Sequence, residues 1–346
     1  MDFALKVRLQ FSAIFSEHMN RRAFTIFLAG TAAIWSLAAR AQQPEKTVRI
    51  GVLWRAASAE QEGANFKSLV KGISDLGRVE GHEIALEHRF ATDLPDRFKS
   101  MAEELASSNV DMLIGVGNTA AGFAKEATTT IPVVFALVAD PIGSKLVDSL
   151  AQPGGNSTGL SSLAADVFTK RLALLKAMIP ALSKVGFLFN VNDPNVRPYV
   201  DGTQAAASEL GLSAQPFEWR SVNDIGPAFD AMKRAGMQAF TTNPDGMAFA
   251  HRALIGQIAL ARNLPLSVWS REALKGGALM SYAADEDAIC QRAAVLVEKI
   301  LKGAKPAELP VEQPTKFEFL INPRAAKALG LSIPEAVLKL ADGTVE

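Results

Sequence analysis

One cysteine, four histidines and two tyrosines in 346 residues are the scarcest chemistry in this chain. The lone thiol, Cys290, makes no intramolecular disulfide and no thiolate cluster, and four histidines leave little for a metal site, so redox and zinc chemistry are disfavoured. His82 and His88 stand six apart on an expected strand, roughly 20 Å at extended rise, too far to share an ion. His251 is isolated on an expected helix. No G-x-S-x-G nucleophile elbow and no Cys–His arrangement appears. An excess of either charge is also missing. Thirty-six Lys and Arg balance 36 Asp and Glu, which removes the electrostatic footprint of a nucleic-acid or anionic-membrane partner. What the chain has is apolar material, 49% of its residues, enough for one large or two mid-sized cores.

The first 41 residues differ from the rest. Met19-Asn20-Arg21-Arg22 precedes an uncharged, small-residue stretch from Ala23 to Ala39, and Ala39-Arg40-Ala41 precedes Gln42-Gln43-Pro44. A basic start, an apolar middle and a small-x-small site are the parts of an export signal. The stretch is shorter and more dilute than the roughly 20 strongly apolar residues of a spanning helix. Residues 1–41 are therefore expected to be an export signal with Met19 as a possible true start. The Arg21-Arg22 pair resembles a twin-arginine signal, with the Sec route as the alternative. The mature chain then begins at Gln42, is faintly acidic, and resides in the periplasm.

From Val48 onward, short β-rich runs alternate with helical periodicity. Val48–Leu53 reads as a strand, and Phe66, Leu69, Val70, Ile73 and Leu76 recur at helical spacing up to Gly77. Strands over 110–116 and 133–138 follow with helices between them. The run from Gln152 to Gly159 is rich in loop formers and reads as a crossover, after which strand and helix alternate again from Asp166. The expected fold class is α/β, with two Rossmann-like lobes built on parallel sheets. Lobe 1 takes 42–157 plus about 282–306, and lobe 2 takes 158–281 plus about 307–346, which gives three inter-lobe crossovers.

In open α/β sheets a ligand binds beyond the carboxyl ends of the strands, where loops and helix N-termini converge. In lobe 1 those ends carry Trp54 and Ser58, then Gly117-Asn118-Thr119, then the run from Ala136 to Asp140-Pro141. In lobe 2 they carry Asn190 to Asp193, Thr242 to Asp245, and Trp269-Ser270-Arg271. Gly115-Val116-Gly117-Asn118-Thr119-Ala120 matches G-x-G-x-x-A, and Asp140 lies 20 residues beyond Ala120. A dinucleotide fold carries that turn after its first strand, and here it follows the third, so no cofactor is expected. The same helix start suits a ligand carboxylate, with Thr119 as simple helix cap the alternative. Trp54 and Trp269 each end a strand, either as walls for a flat ligand or as core. Asp245 reads either as acceptor for a ligand ammonium or as N-cap before Met247. Asp193 reads as a turn and cap residue, Tyr282 as lining the cleft or the hinge, and Asp285-Glu286-Asp287 as acidic charge at a helix start.

Several motifs in one order carry a family resemblance: Ala127-Thr128 with Ile131-Pro132-Val133-Val134-Phe135, Asp140-Pro141, Gln152-Pro153-Gly154-Gly155-Asn156-Ser157-Thr158-Gly159, Gly276-Gly277-Ala278-Leu279-Met280-Ser281-Tyr282, and Leu309-Pro310-Val311-Glu312-Gln313-Pro314-Thr315-Lys316. From about Arg49 to its end the chain resembles the solute-binding proteins of ABC uptake systems related to tryptophan- and tyrosine-binding components. The resemblance implies a type I periplasmic-binding-protein fold, ligand capture between two lobes without catalysis, and delivery to a membrane permease. Ala283 stands where such sequences often have glycine, and Trp269-Ser270 where they often have Tyr-Gly. Both positions fall near the expected cleft, so an aromatic amino acid and an aromatic acid stay open as ligands.

The combined expectation is a monomeric, non-enzymatic receptor for a small carboxylate-bearing solute. Ser58, Asn118 and Thr119 hold the carboxylate, Trp54 and Trp269 flank the body, and Asn192, Asp245 and Arg271 close over it. Ala136 and Asp140 complete the rim. An exported Rossmann-type enzyme and a ligand-sensing partner of a membrane receptor are the alternatives.

Overall fold

The computed structural model describes residues 47–92, 95–162, 167–193 and 196–345. The expected export signal lies outside them. Strands β1 (Val48–Trp54), β2 (Ile84–Phe90), β3 (Met112–Val116), β4 (Val133–Val138) and β5 (Ser157–Ser161) form one sheet in the order β2-β1-β3-β4-β5, parallel throughout. A second sheet has the order β12-β11-β10-β9-β8-β6-β7. Its strands are β6 (Lys184–Asn190), β7 (Ser213–Trp219), β8 (Ala239–Thr242), β9 (Leu266–Val268), β10 (Met280–Ala284), β11 (Phe317–Ile321) and β12 (Gly343–Thr344). This sheet is mixed, because β11 runs antiparallel to β10 while the other pairs are parallel.

Strands buried on both faces read as continuous apolar runs, and β3 and β4 show why: every residue of both is buried. Strand alternation then assigns faces. Ile50, Val52 and Trp54 of β1 join Leu69 and Ile73 of helix α1 (Ala64–Asp75), whereas Leu53 packs with Phe98 and Leu105 of α2 (Pro95–Ser107). Helix α3 (Asn118–Glu126) follows β3 so closely that a Cβ on Gly115 would lie 2.5 Å from the Ala121 Cα. Gly117 turns the chain at φ +91°. The two glycines of the G-x-G run thus serve close packing and a left-handed turn.

Helices α4 (Val167–Met178), α5 (Val196–Glu209), α6 (Ile225–Arg234) and α7 (Arg252–Ala261) accompany the second sheet. Helix α8 (Glu286–Leu301) follows β10 in sequence yet packs on α1 and β4, on the first sheet. Asp285 is its N-cap, accepting from the Ala288 N–H at 3.0 Å, as acidic residues at a helix start should.

The run Gln152–Gly159, expected as a crossover, differs in its second half. Residues 157–161 pair with β4 as the edge strand. One β-branched residue, Thr158, and one apolar residue, Leu160, are too few to mark Ser-Thr-Gly-Leu-Ser as a strand locally. The strand is fixed by distant partners instead: Thr158 Oγ1 donates to the Leu309 carbonyl at 2.7 Å, Ser157 Oγ donates to the Leu146 carbonyl, and Gly159 lets the Phe135 backbone approach.

Candidate functional site

The carboxyl ends of the two sheets face each other across a small cavity. The first lobe contributes Arg55, Gly117, Asn118, Thr119 and Leu137, and the second contributes Arg171, Pro244, Asp245, Gly246 and Trp269. Ala283, Ala284 and Glu286, where β10 hands over to α8, complete the wall. The free room inside is only about 30 Å³, space for about two waters. Beside it opens a cleft of about 720 Å³ that shares Asn118, Thr119, Asp245 and Gly246 with the cavity.

Of the residues expected from sequence, Asn118, Thr119, Asp245 and Trp269 line the cavity, and Asn192 lines the cleft. Asn118 bridges the lobes. Its Oδ1 accepts from the Ala139 N–H at 2.8 Å, and its Nδ2 points to the Tyr199 hydroxyl at 3.4 Å and the Pro244 carbonyl at 3.5 Å. Thr119 is not the helix cap. Gly117 occupies that position and offers no side chain, so the first turn of α3 faces the cavity uncapped. Asp245 caps its short helix through Oδ1, which accepts from Met247 N–H (2.9 Å), Ala248 N–H (3.1 Å) and Asn190 Nδ2 (3.3 Å). Its Oδ2 is buried and unpartnered, so cap and acceptor coexist in one carboxylate. Burial, aided by the Asp193 charge, pushes Asp245 up to about 7. The Trp269 indole is buried in the second-lobe core, and its Nε1 has no acceptor.

The other expected residues lie elsewhere. Trp54 is fully buried, stacked on Phe90 with ring centroids 6.3 Å apart, and its Nε1 donates to His88 Nδ1 at 3.0 Å. Burial holds His88 down to about 4, which keeps that nitrogen an acceptor. Ser58 accepts from the Gln61 N–H at 3.3 Å as a helix cap. Ala136 is fully buried within β4. Asp140 accepts from the Gly143 N–H at 2.8 Å in a turn. Arg271 reaches out to Glu318 at 2.9 Å. These five line neither the cavity nor the cleft.

Two arginines absent from the expectation matter most. Arg55 follows β1 directly and is 6% exposed. It pairs with Glu62 at 3.4 Å and Glu286 at 3.3 Å, and its guanidinium lies 3.9 Å from the centre of the Phe249 ring in the second lobe. Burial alone would lower its pKa, but Glu286 and Glu62 outweigh that and raise it. Arg252 covers the same ring at 4.2 Å and donates to the Gln61 carbonyl at 2.7 Å, so Phe249 is clasped between cations of both lobes. Arg171 is the opposite case. Its Nε and Nη2 donate only to the Tyr282 carbonyl, at 3.2 and 3.1 Å, and among the described residues no carboxylate pairs with it. Burial pushes it down to about 10. A sequence signal existed: Arg171 stands four residues from Val167 and four from Leu175 on the buried stripe of α4, where a charge has no structural reason to be.

Among the described residues no group of three or more His, Cys, Asp or Glu side chains is placed to hold a metal ion, and no helix is long and apolar enough to cross a membrane. The cavity instead offers one buried cation with no counter-ion among the described residues, one spare carboxylate oxygen, an uncapped helix start and an indole.

The model of a family described as ABC transporter substrate binding protein matches residues 58–345. The tyrosine-binding protein of Clostridioides difficile is 23% identical over 265 residues, 77% of this chain and 76% of that one. Among solved structures, an ABC domain in complex with L-Trp from Streptococcus pneumonia is 26% identical, with TM-score 0.81 over 87% of this chain and all of that one. The ligand-free, open structure of a substrate binding protein with adhesive properties from Clostridium difficile is 22% identical and gives TM-score 0.64 over 87% of this chain and 99% of that one.

Proposed function

Because this chain belongs to the ABC transporter substrate binding protein family and has the type I periplasmic-binding-protein fold, we propose that it captures an amino acid with an apolar, aromatic side chain for a membrane permease. One observation carries the choice of ligand: Arg171, a buried cation that no carboxylate among the described residues pairs with, shares a cavity with Asp245, whose second oxygen is buried with no donor among them. Each alone is costly in a dry site. A zwitterion satisfies both, its carboxylate at Arg171 and the first turn of α3, its ammonium at Asp245. An aromatic acid without an amine leaves Asp245 unserved. Trp269 closes the inner wall behind the ligand's charged head.

The lobes are proposed to open and close about three inter-lobe connections, with the protein exported through residues 1–41 and acting as a monomer. The lobes meet through Arg55, Phe249 and Arg252. A ligand bridging both lobes favours this closed form by its differential affinity.

Thermal-shift measurement with three matched compounds tests the reading: an aromatic amino acid, the acid lacking the amine, and the amine lacking the carboxylate. The amino acid is expected to stabilise by about 2.7 kcal/mol at a hundred times its dissociation constant, with the other two far weaker. Equal response to the acid and the amino acid refutes the role of Asp245, and turnover of any bound compound refutes a receptor.

A further inference from the structure

We propose that the 720 Å³ cleft is the subsite for the body of the solute, kept wide by Gly122, and that it selects amino acids whose side chains are longer than a single ring system. The inference rests on the amino-acid reading above and extends it to size.

The inner cavity, with room for about 30 Å³, holds the polar groups but no ring. Sites for small molecules run to roughly 300–1,000 Å³, a range that the cleft reaches and the cavity does not. The two spaces share Asn118, Thr119, Asp245 and Gly246, so a zwitterionic head held there directs its side chain outward. Part of the wall it meets is apolar, with Phe98 and Phe123, stacked with centroids 6.1 Å apart, and Met247, while Glu126, Lys145 and Arg220 line the rest.

Gly122 lies within α3 on this wall. A glycine inside a helix costs about 1 kcal/mol relative to alanine, so its presence needs a reason. Every other described glycine has one of two features: a positive φ, or a neighbouring atom within 4 Å of where a Cβ would stand. Gly122 has neither. No turn and no neighbour requires its missing side chain. The space it leaves belongs to the cleft, and filling it costs the protein nothing and the ligand its room.

Calorimetry on the chain at pH 8 with L-phenylalanine, L-tryptophan and 4-phenyl-L-phenylalanine tests this. Affinity in the unmodified protein should rise at least about tenfold from phenylalanine to its 4-phenyl derivative, since the added ring buries further apolar surface. Gly122→Leu should erase that gain, weaken the 4-phenyl derivative at least about tenfold more than phenylalanine, and keep or raise the thermal midpoint. Phenylalanine binding as tightly as the 4-phenyl derivative, or Gly122→Leu weakening all three ligands by one factor, overturns the proposal. If Gly122→Leu lowers the midpoint, Gly122→Ala and the size series in the unmodified protein decide. Failure of all three to bind overturns the amino-acid reading as well, whereas tight phenylalanine with a rejected 4-phenyl derivative overturns this inference alone.

Discussion

Two arginines line one cavity and are buried almost equally, Arg55 at 6% exposure and Arg171 at 4%, yet the protein treats them in opposite ways. Arg55 has two carboxylates and an aromatic ring, and Arg171 has one backbone carbonyl. The first is a charge the fold has already neutralised, so it belongs to the architecture that brings the lobes together. In the proposed reading the second is a charge left for the ligand carboxylate. Burial by itself does not mark a functional arginine; the missing counter-ion does.

The largest effect that sharpens this contrast is on stability. Arg55→Ala strands Glu62, fully buried, and Glu286 without their cation, and should lower the unfolding free energy by about 3–5 kcal/mol in urea titration. Arg171→Gln should change it far less, since it strands no carboxylate. Similar losses for both would erase the distinction.

Binding should show the reverse. Arg171→Gln is expected to weaken a confirmed zwitterionic ligand by about a hundredfold in calorimetry, the order of losing a buried hydrogen-bonded charge partner. An unchanged dissociation constant removes Arg171 from the site.

A third test uses pH. Asp245 titrates near 7 because burial and Asp193 disfavour its charge, and a ligand ammonium prefers the ionised form. Affinity should therefore be highest above pH 7 and fall by up to about tenfold per unit below it, with Asp245→Asn flattening the profile. The sign for stability is opposite. In the ligand-free protein this raised group binds more protons folded than unfolded between about pH 4 and 7, so its contribution to stability declines as pH rises through that window.

The smallest effect concerns closure. Phe249→Leu keeps an apolar side chain but removes the ring held by Arg55 and Arg252, a change of about 1–2 kcal/mol for paired cation–π contacts. Small-angle scattering of the ligand-free variant should show a more open average than the unmodified protein. An identical radius of gyration would mean that the ring does not hold the lobes.

Much of the fold was legible in the chain. The runs at 48–53, 110–116 and 133–138 announce buried parallel strands because continuous apolar residues suit sheets covered on both faces. The G-x-G turn and the Asp285 cap were also readable, since each depends on neighbours a few positions away. Strand β5 was not, because Ser157–Ser161 is held by Phe135, Leu146 and Leu309 rather than by its own composition. In the candidate site, Asn118, Thr119, Asp245 and Trp269 could be found from strand ends. Trp54 and Arg271 also end strands, but their partners, His88 and Glu318, are set by strand pairing and packing.

Local periodicity determined the alternation of strands and helices, the two-lobe α/β plan and the edge of each sheet where polar loops gather, because these follow from the repeat of apolar residues along a few turns or pleats. Tertiary structure decided which polar groups there are already satisfied. Arg55 meets Glu286 from 231 positions away, while Arg171, one residue on from Lys170 and no different in chemistry from Arg55, meets no negative charge among the described residues. Pairing of buried charges is a property of long-range contacts, and no spacing rule in the chain encodes it.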